Sequence, residues 1–137
     1  MSNSKRKDDD IAVRWERRLD VALKNINDRS ALNRNALSDI AYIGKLASEN
    51  YSGHVFPRGL ALHDTLLTCI EKISLELGDE IGLTRACRYL ELKVDGLSCK
   101  EIARQLGLSR EHTSRVYRRK ALEVLAEEFF NMVKKDR

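Results

Sequence analysis

The sequence predicts an all-α protein, and three observations carry that prediction. Apolar residues recur at three- and four-residue steps through most of the chain, which places them on one face of a helix. No segment alternates apolar and polar residues as a half-buried strand does. The 137 residues include a single proline, so helices can run without interruption. We expect a helical N-terminal region followed by a bundle of three or four helices.

The N-terminal part divides into an arm and several helices. Residues 1–10 are polar and charged and are expected to form a disordered arm. A helical stripe follows, consisting of Ile11, Trp15, Leu19, Ala22 and Ile26. Residues 25–35 are interpreted as a connection. Three further helices are predicted over about 36–48, 60–77 and 84–94. The inward residues predicted for the first of these three helices are Leu37, Ile40, Ala41 and Leu46.

The segment YSGHVFPRG, residues 51–59, carries the clearest loop punctuation, with two glycines and the only proline. It is also rich in aromatic residues for a loop. An aromatic lid over the core is the favoured interpretation, and a lining for a pocket or a docking surface for a partner is the alternative.

Composition excludes several classes of protein. Apolar residues make up 42% of the chain, but no run approaches the ~20 residues of a membrane span. The N-terminus lacks the apolar core of a signal peptide. Three cysteines, Cys69, Cys87 and Cys99, form no CxxC pair, and with the scattered histidines they match no common zinc spacing. We therefore expect a cytoplasmic protein with reduced thiols, no metal, no cofactor and no membrane partner.

Charge is distributed unevenly along the chain. Residues 98–137 contain 10 Lys/Arg and 6 Asp/Glu, whereas residues 1–97 contain 15 of each, so the whole net charge of +4 lies in the last segment. Within residues 104–120 the balance is six basic to one acidic. A basic patch on a neutral body indicates a polyanionic partner.

The segment LSCKEIARQLGLSREHTSRVYRRKAL, residues 97–122, combines this charge with strong helix boundaries. Ser98 and Glu101 are spaced as a capping box, which predicts a short helix over residues 99–106 with Ile102, Ala103 and Leu106 buried. Gly107 can adopt the left-handed conformation that ends a helix, and Ser109 can cap the next helix. A short capped helix, a tight turn and a longer helix are typical of the helix-turn-helix.

The helix that begins at Arg110 is predicted to enter the major groove of DNA. At ~100° per residue, Thr113, Val116 and Tyr117 fall on the inward side. Ser114 and Arg115 are the best candidates for base edges. Glu111 either accepts from a cytosine amine or favours the positive end of the helix dipole. The expected DNA-binding residues are Arg104, Ser109, Arg110, Glu111, His112, Ser114, Arg115, Arg118, Arg119 and Lys120. Of these, we expect Arg104, Arg110, Arg118, Arg119 and Lys120 to contact phosphates.

The pattern GLSCKEIARQLGLSREHTSRVYRRKALEVL resembles region four of bacterial sigma factors and, more loosely, the helix-turn-helix of LuxR-type regulators. The match covers about thirty residues and extends weakly upstream through CRYLELKVDG. The resemblance implies a tri- or tetrahelical DNA-binding domain without catalysis. Residues 1–97 contain no counterpart of the promoter-melting region of a sigma factor, which favours a dedicated regulator.

The tail beyond Leu122 has an apolar stripe of its own, which includes Leu125 and Phe129. On one regular helix this stripe would lie roughly 140–180° around from Val116. Either the chain bends near residues 120–123, or the tail packs against another surface. That surface is a second copy of the protein or the chain's own N-terminal helices.

We therefore expect a sequence-specific, DNA-binding transcription regulator with four parts. These are a disordered arm (1–10), a helical region for dimerisation or sensing (11–82), a helix-turn-helix domain (83–122) and a helical extension (123–137). The expected partners are double-stranded DNA and a second copy of the chain, with RNA polymerase as a further candidate. The alternatives are a sigma-like or polymerase-associated protein and a DNA-binding accessory of a phage or mobile element. An enzyme is not expected, because no catalytic pairing or phosphate loop is visible.

Overall fold

The computed structural model describes residues 14–78 and 80–134, which are all-α as predicted and contain no strand. The expected arm and Ile11 lie outside these ranges. Helix α1 covers residues 14–24. The elements that follow are α2 (Arg29–Arg34), a 3-10 turn (Ala36–Asp39), α3 (Ala41–Asn50), α4 (Pro57–Leu75), α5 (Ile81–Val94), α6 (Cys99–Leu106), α7 (Arg110–His112), a π-helical segment (Thr113–Arg118) and α8 (Arg119–Lys134). None of the described helices has the length and apolarity needed to cross a bilayer.

One hydrophobic core connects these elements, and its largest fully buried side chains include Tyr89 of α5 and Phe129 of α8. Helix α4 packs against α2, α3, α5 and α8. Buried residues on both sides of the predicted boundaries after residues 82 and 122 belong to this same core. The segment with the helix-turn-helix pattern is therefore built directly onto the N-terminal helices.

The prediction of a connection over residues 25–35 is wrong, because α2 forms there. The side chain of Asp28 accepts a hydrogen bond from the backbone N–H of Ala31 at 3.1 Å and starts the helix. Leu32 is fully buried. Helix α4 crosses α2 so closely that a Cβ at Gly59 would come within 2.3 Å of the Arg29 carbonyl oxygen. Polar residues that suggested a loop are thus caps and the surface of a short helix.

The second predicted helix, over residues 36–48, is interrupted. Ile40 has an extended backbone, with ψ of 136°, and separates the 3-10 turn from α3. The residues of α3 that face the core therefore do not continue the spacing predicted from Leu37. Leu37 is buried as predicted, but Ala41 is exposed, and Ile43 and Ala47 are the buried residues of α3.

The aromatic loop is shorter than predicted, because α4 begins at Pro57 rather than near residue 60. Proline suits this first helical position, where its missing N–H would have no helical partner. Tyr51 packs on the edge of the core, which agrees with an aromatic lid. His54 lies against the Tyr51 ring, with 5.9 Å between centroids. Helix α5 also starts earlier than predicted, at Ile81 instead of residue 84.

The last three elements follow one another without a break, and we call residues 110–134 the C-terminal helix. One row of its buried residues recurs every four positions, Thr113, Tyr117, Ala121, Leu125 and Phe129, and Leu122 and Ala126 are buried beside this row. On a regular α-helix, steps of four drift by about 40° each, or about 160° along this row. The π-helical segment, with its wider i→i+5 turns, offsets much of that drift. One helix therefore keeps both stripes on the same core.

The tail packs against the chain's own N-terminal helices, and no bend is needed. The ring of Phe129 meets Trp15 of α1 edge-to-face, with 5.5 Å between centroids. Glu128 pairs with Lys72 of α4, with 3.0 Å between Oε1 and Nζ. Of the two surfaces expected for the tail, its own body is the one it occupies.

Thr113, at the start of the π-helical segment, generates a first prediction. Its side chain is fully buried, and its hydroxyl has no hydrogen-bond partner among the described residues. Thr113→Val should raise the free energy of unfolding by about 1 kcal/mol, because it removes an unsatisfied buried group. Denaturant unfolding measures this change.

The matched control is Thr65→Val in α4. Thr65 is also buried, but its hydroxyl donates to the Ala61 carbonyl at 2.7 Å. The control should not gain stability and should lose up to about 1 kcal/mol. A Thr113→Val protein less stable than the native one would contradict the proposed burial cost.

Candidate nucleic-acid interface

The helix boundaries predicted around residue 98 are confirmed in atomic detail. The backbone N–H of Glu101 donates to Ser98 Oγ at 3.2 Å, and the Ser98 N–H donates to Glu101 Oε1 at 3.4 Å, which completes the capping box. Helix α6 ends at Gly107, whose φ of 70° is left-handed. Ser109 then accepts from the His112 N–H at 3.0 Å and caps the next helix. Local polar contacts thus fix both ends of the turn.

Burial fixes the orientation of α6. Ile102 and Ala103 are buried, and α6 packs against α5 and against the first turns of the C-terminal helix. The N–H of Leu108 donates to the Ala103 carbonyl at 2.9 Å, which satisfies an orphan carbonyl at the helix end. The start of the C-terminal helix buries Thr113 and Tyr117 and leaves Arg110, Glu111 and Arg115 exposed.

Seven of the ten predicted site residues are exposed. Ser114 and Lys120 are half-buried. The exposed members of the set are Arg104, Ser109, Arg110, Glu111, His112, Arg115 and Arg119. Glu111 is the only acid among these exposed residues, which include four arginines.

Arg115 and Glu111 form an exposed ion pair one turn apart, with 2.8 Å between Nη2 and Oε1. The two side chains are 77% and 70% exposed. An exposed pair of this kind contributes only about 0.3–0.5 kcal/mol. Glu111 therefore orients the Arg115 guanidinium but does not hold it, and an incoming acceptor could replace the carboxylate.

Arg118 does not belong to the solvent face, contrary to its assignment as a phosphate contact. Its Nε donates to Asp20 Oδ1 of α1 at 3.3 Å, and its Nη2 donates to Asp20 Oδ2. Because Arg118 donates these hydrogen bonds to the Asp20 carboxylate, its pKa is raised. The guanidinium is therefore committed to joining the C-terminal helix to α1. Sequence spacing alone could not separate it from its neighbour Arg119.

Val116 is also placed differently from the prediction, since it is 43% exposed. A π turn contains more residues than an α turn, so the three-residue step from Thr113 to Val116 rotates the chain by a smaller angle. Val116 therefore does not reach the inward side that Thr113 and Tyr117 occupy. The hydroxyl of Tyr117 accepts from Arg85 of α5 at 2.9 Å, and its ring meets His112 at 5.6 Å.

Asp20 and Arg85 are the hydrogen-bond partners of the candidate site that the sequence did not predict. Both lie outside the basic segment and act through contacts at long sequence separation. Asp20 offered a weak signal, because it falls between the apolar positions of the α1 stripe, where it can reach a neighbouring helix.

The thiols and the acidic groups can be compared with metal sites within residues 14–78 and 80–134 only. No group of three or more His, Cys, Asp or Glu side chains among the described residues could hold an ion. Burial raises the pKa of Cys69 to about 12 and that of Cys87 to about 11. Both are free cysteines that pack in the core, so they serve as apolar side chains at neutral pH.

The Asp20–Arg118 pair predicts a coupled effect on stability. Asp20→Asn and Arg118→Gln should each lower the free energy of unfolding by about 1–3 kcal/mol, because each leaves a partly buried charge unmatched. The lower end is expected, since the Arg118 side chain is 36% exposed and water screens the pair. The double variant should lose less than the sum of the two. Additive losses in chemical denaturation would mean that the two residues act independently.

Comparison with known proteins does not identify a function for this chain. The chain matches no protein-family model, no curated protein and no solved structure. The resemblance to sigma region four and LuxR-type regulators therefore remains an expectation from the motif.

Proposed function

We propose that this protein is a sequence-specific DNA-binding transcription regulator, in which a helix-turn-helix formed by α6 and the C-terminal helix docks in the major groove. The observation that carries the proposal is the positive solvent face of residues 104–120, held by caps at Ser98 and Ser109. A helix fits the major groove, which is ~12 Å wide.

The residues of this face suit the two kinds of contact that a DNA-binding protein makes, with base edges and with phosphates. Arg115 is exposed and oriented by Glu111, and its planar fork suits the O6 and N7 acceptors of guanine. Ser114 lies beside it and can contact any base edge. Arg104, Arg110, Arg119 and Lys120 surround this pair along the chain and suit phosphate oxygens. Arg118 is left out, because Asp20 engages it.

A homodimer that reads a palindromic site remains part of the proposal, although the chain itself already covers the buried stripe of the tail. Phe129 is fully buried within the chain, whereas its neighbour Phe130 is 40% exposed. The symmetry of the bound sequences would reveal a dimer.

The alternative function is a sigma-like or polymerase-associated protein that acts through protein contact. One observation favours it: Leu75 and Ile81, on either side of the α4–α5 connection, are 79% and 66% exposed. If these two side chains form one apolar patch, it would suit a protein contact.

Selection of bound sequences from random DNA separates the two functions. The purified chain without polymerase should enrich one motif, and its affinity should fall steeply with salt. Enrichment that appears only when core polymerase is added would support the alternative and contradict direct reading.

Arg115 and Arg119 should behave differently in the same assay. Arg115→Ala should cost about 1–3 kcal/mol on the selected site and relax the preference at one base position. Arg119→Ala should weaken selected and mixed-sequence DNA equally and lower the salt slope by about 1. Arg34→Ala, on the exposed surface of α2, is the control and should leave both unchanged. Equal weakening of both DNAs by Arg115→Ala would contradict its assignment to a base.

A further inference from the structure

The outward face of α1 carries exposed cations, although residues 1–97 as a whole have no net charge. Arg14, Arg17 and Arg18 are exposed, and the Lys24 side chain is 58% exposed. Among the described residues, Arg14, Arg17 and Arg18 form no ion pair, and Lys24 approaches only Asp20, at 3.8 Å. These four cations are therefore exposed to solvent. The sequence hides them, because Glu16 and Asp20 on the same helix cancel part of their formal charge.

The two carboxylates of α1 are turned towards the C-terminal helix. The side chain of Asp20 is 12% exposed and binds Arg118. Glu16 is half-buried, and its pKa is raised by burial and then by the negative charge of Glu123 on α8. The acidic side of α1 is thus used inside the molecule, which leaves the basic side outside.

The basic side lies next to the proposed reading helix. Trp15 contacts Phe129 and Phe130 of α8, and Asp20 contacts Arg118 further back, so α1 runs antiparallel along the C-terminal helix. Arg17 and Lys24 stand three residues before and four residues after Asp20, which places them along the same edge of α1. The edge that binds Arg118 therefore also presents these two cations.

We propose that Arg14, Arg17 and Lys24 form a second docking surface for the sugar-phosphate backbone of double-stranded DNA. This surface rests on the proposed function and extends it, because it would contact the duplex beside the segment that the C-terminal helix reads. From residue 14 to residue 24, α1 rises about 15 Å, a length over which one DNA strand carries roughly four phosphates. The partner follows from charge: the surface is cationic and exposed, and it lies on the helix whose Asp20 binds Arg118 of the C-terminal helix.

The test is a salt titration of affinity on a labelled duplex of mixed sequence. Arg17→Gln with Lys24→Gln should lower the slope of log affinity against log salt by about 1.8, at ~0.9 per phosphate contact. Affinity at low salt should fall on the order of tenfold, equally for selected and mixed DNA. Arg14→Gln with Arg17→Gln, which leaves the contact between Lys24 and Asp20 intact, should act in the same direction.

The matched control is Arg29→Gln with Arg34→Gln, which removes the same charge from α2, a helix that packs on α4. The control should keep the native slope. If the control and the α1 variants change the slope equally, binding senses only net charge and the α1 surface is rejected. The same conclusion follows if the α1 variants keep the native slope while the native protein binds. If the native protein binds no duplex, the proposed function itself fails, and the α1 surface fails with it.

Discussion

The C-terminal helix must bury one side along its whole length while it exposes cations on the other side of its first turns. A regular α-helix cannot do this with buried residues four positions apart, because the row would wind from the core into solvent. The π-helical segment Thr113–Arg118 meets the requirement. It keeps Tyr117 and Phe129 on one core, and it turns Val116 outward. The orientation of the whole proposed reading face depends on this segment.

Two consequences follow for function. The proposed reading segment and the tail are parts of one helix, so the reader cannot move relative to α4 and α5 without disturbing the core. Asp20 adds a second constraint, since it holds Arg118 against α1. Together these contacts make the positive face a preformed surface, which lowers the ordering cost of binding. The same contacts bring the basic edge of α1 beside it.

Features determined by adjacent residues could be predicted from the sequence. The capping box at Ser98, the turn at Gly107 and the cap at Ser109 each depend on side chains within four positions. The role of Arg118, the exposure of Val116 and the packing of the tail could not be predicted, because they depend on a partner 98 residues away or on a change in helix pitch. The helix α2 was missed for a different reason: its caps are the same Asp and Asn residues that favour loops.

The central claim is that one surface, formed by the start of the C-terminal helix and the outer edge of α1, meets DNA. An amide-resolved NMR titration with a duplex selected from random DNA tests it most directly. The account predicts shifts concentrated in residues 110–119 and 14–24, with α3 (Ala41–Asn50) unperturbed. Shifts concentrated in α3 and α4 with the C-terminal helix unchanged would contradict it.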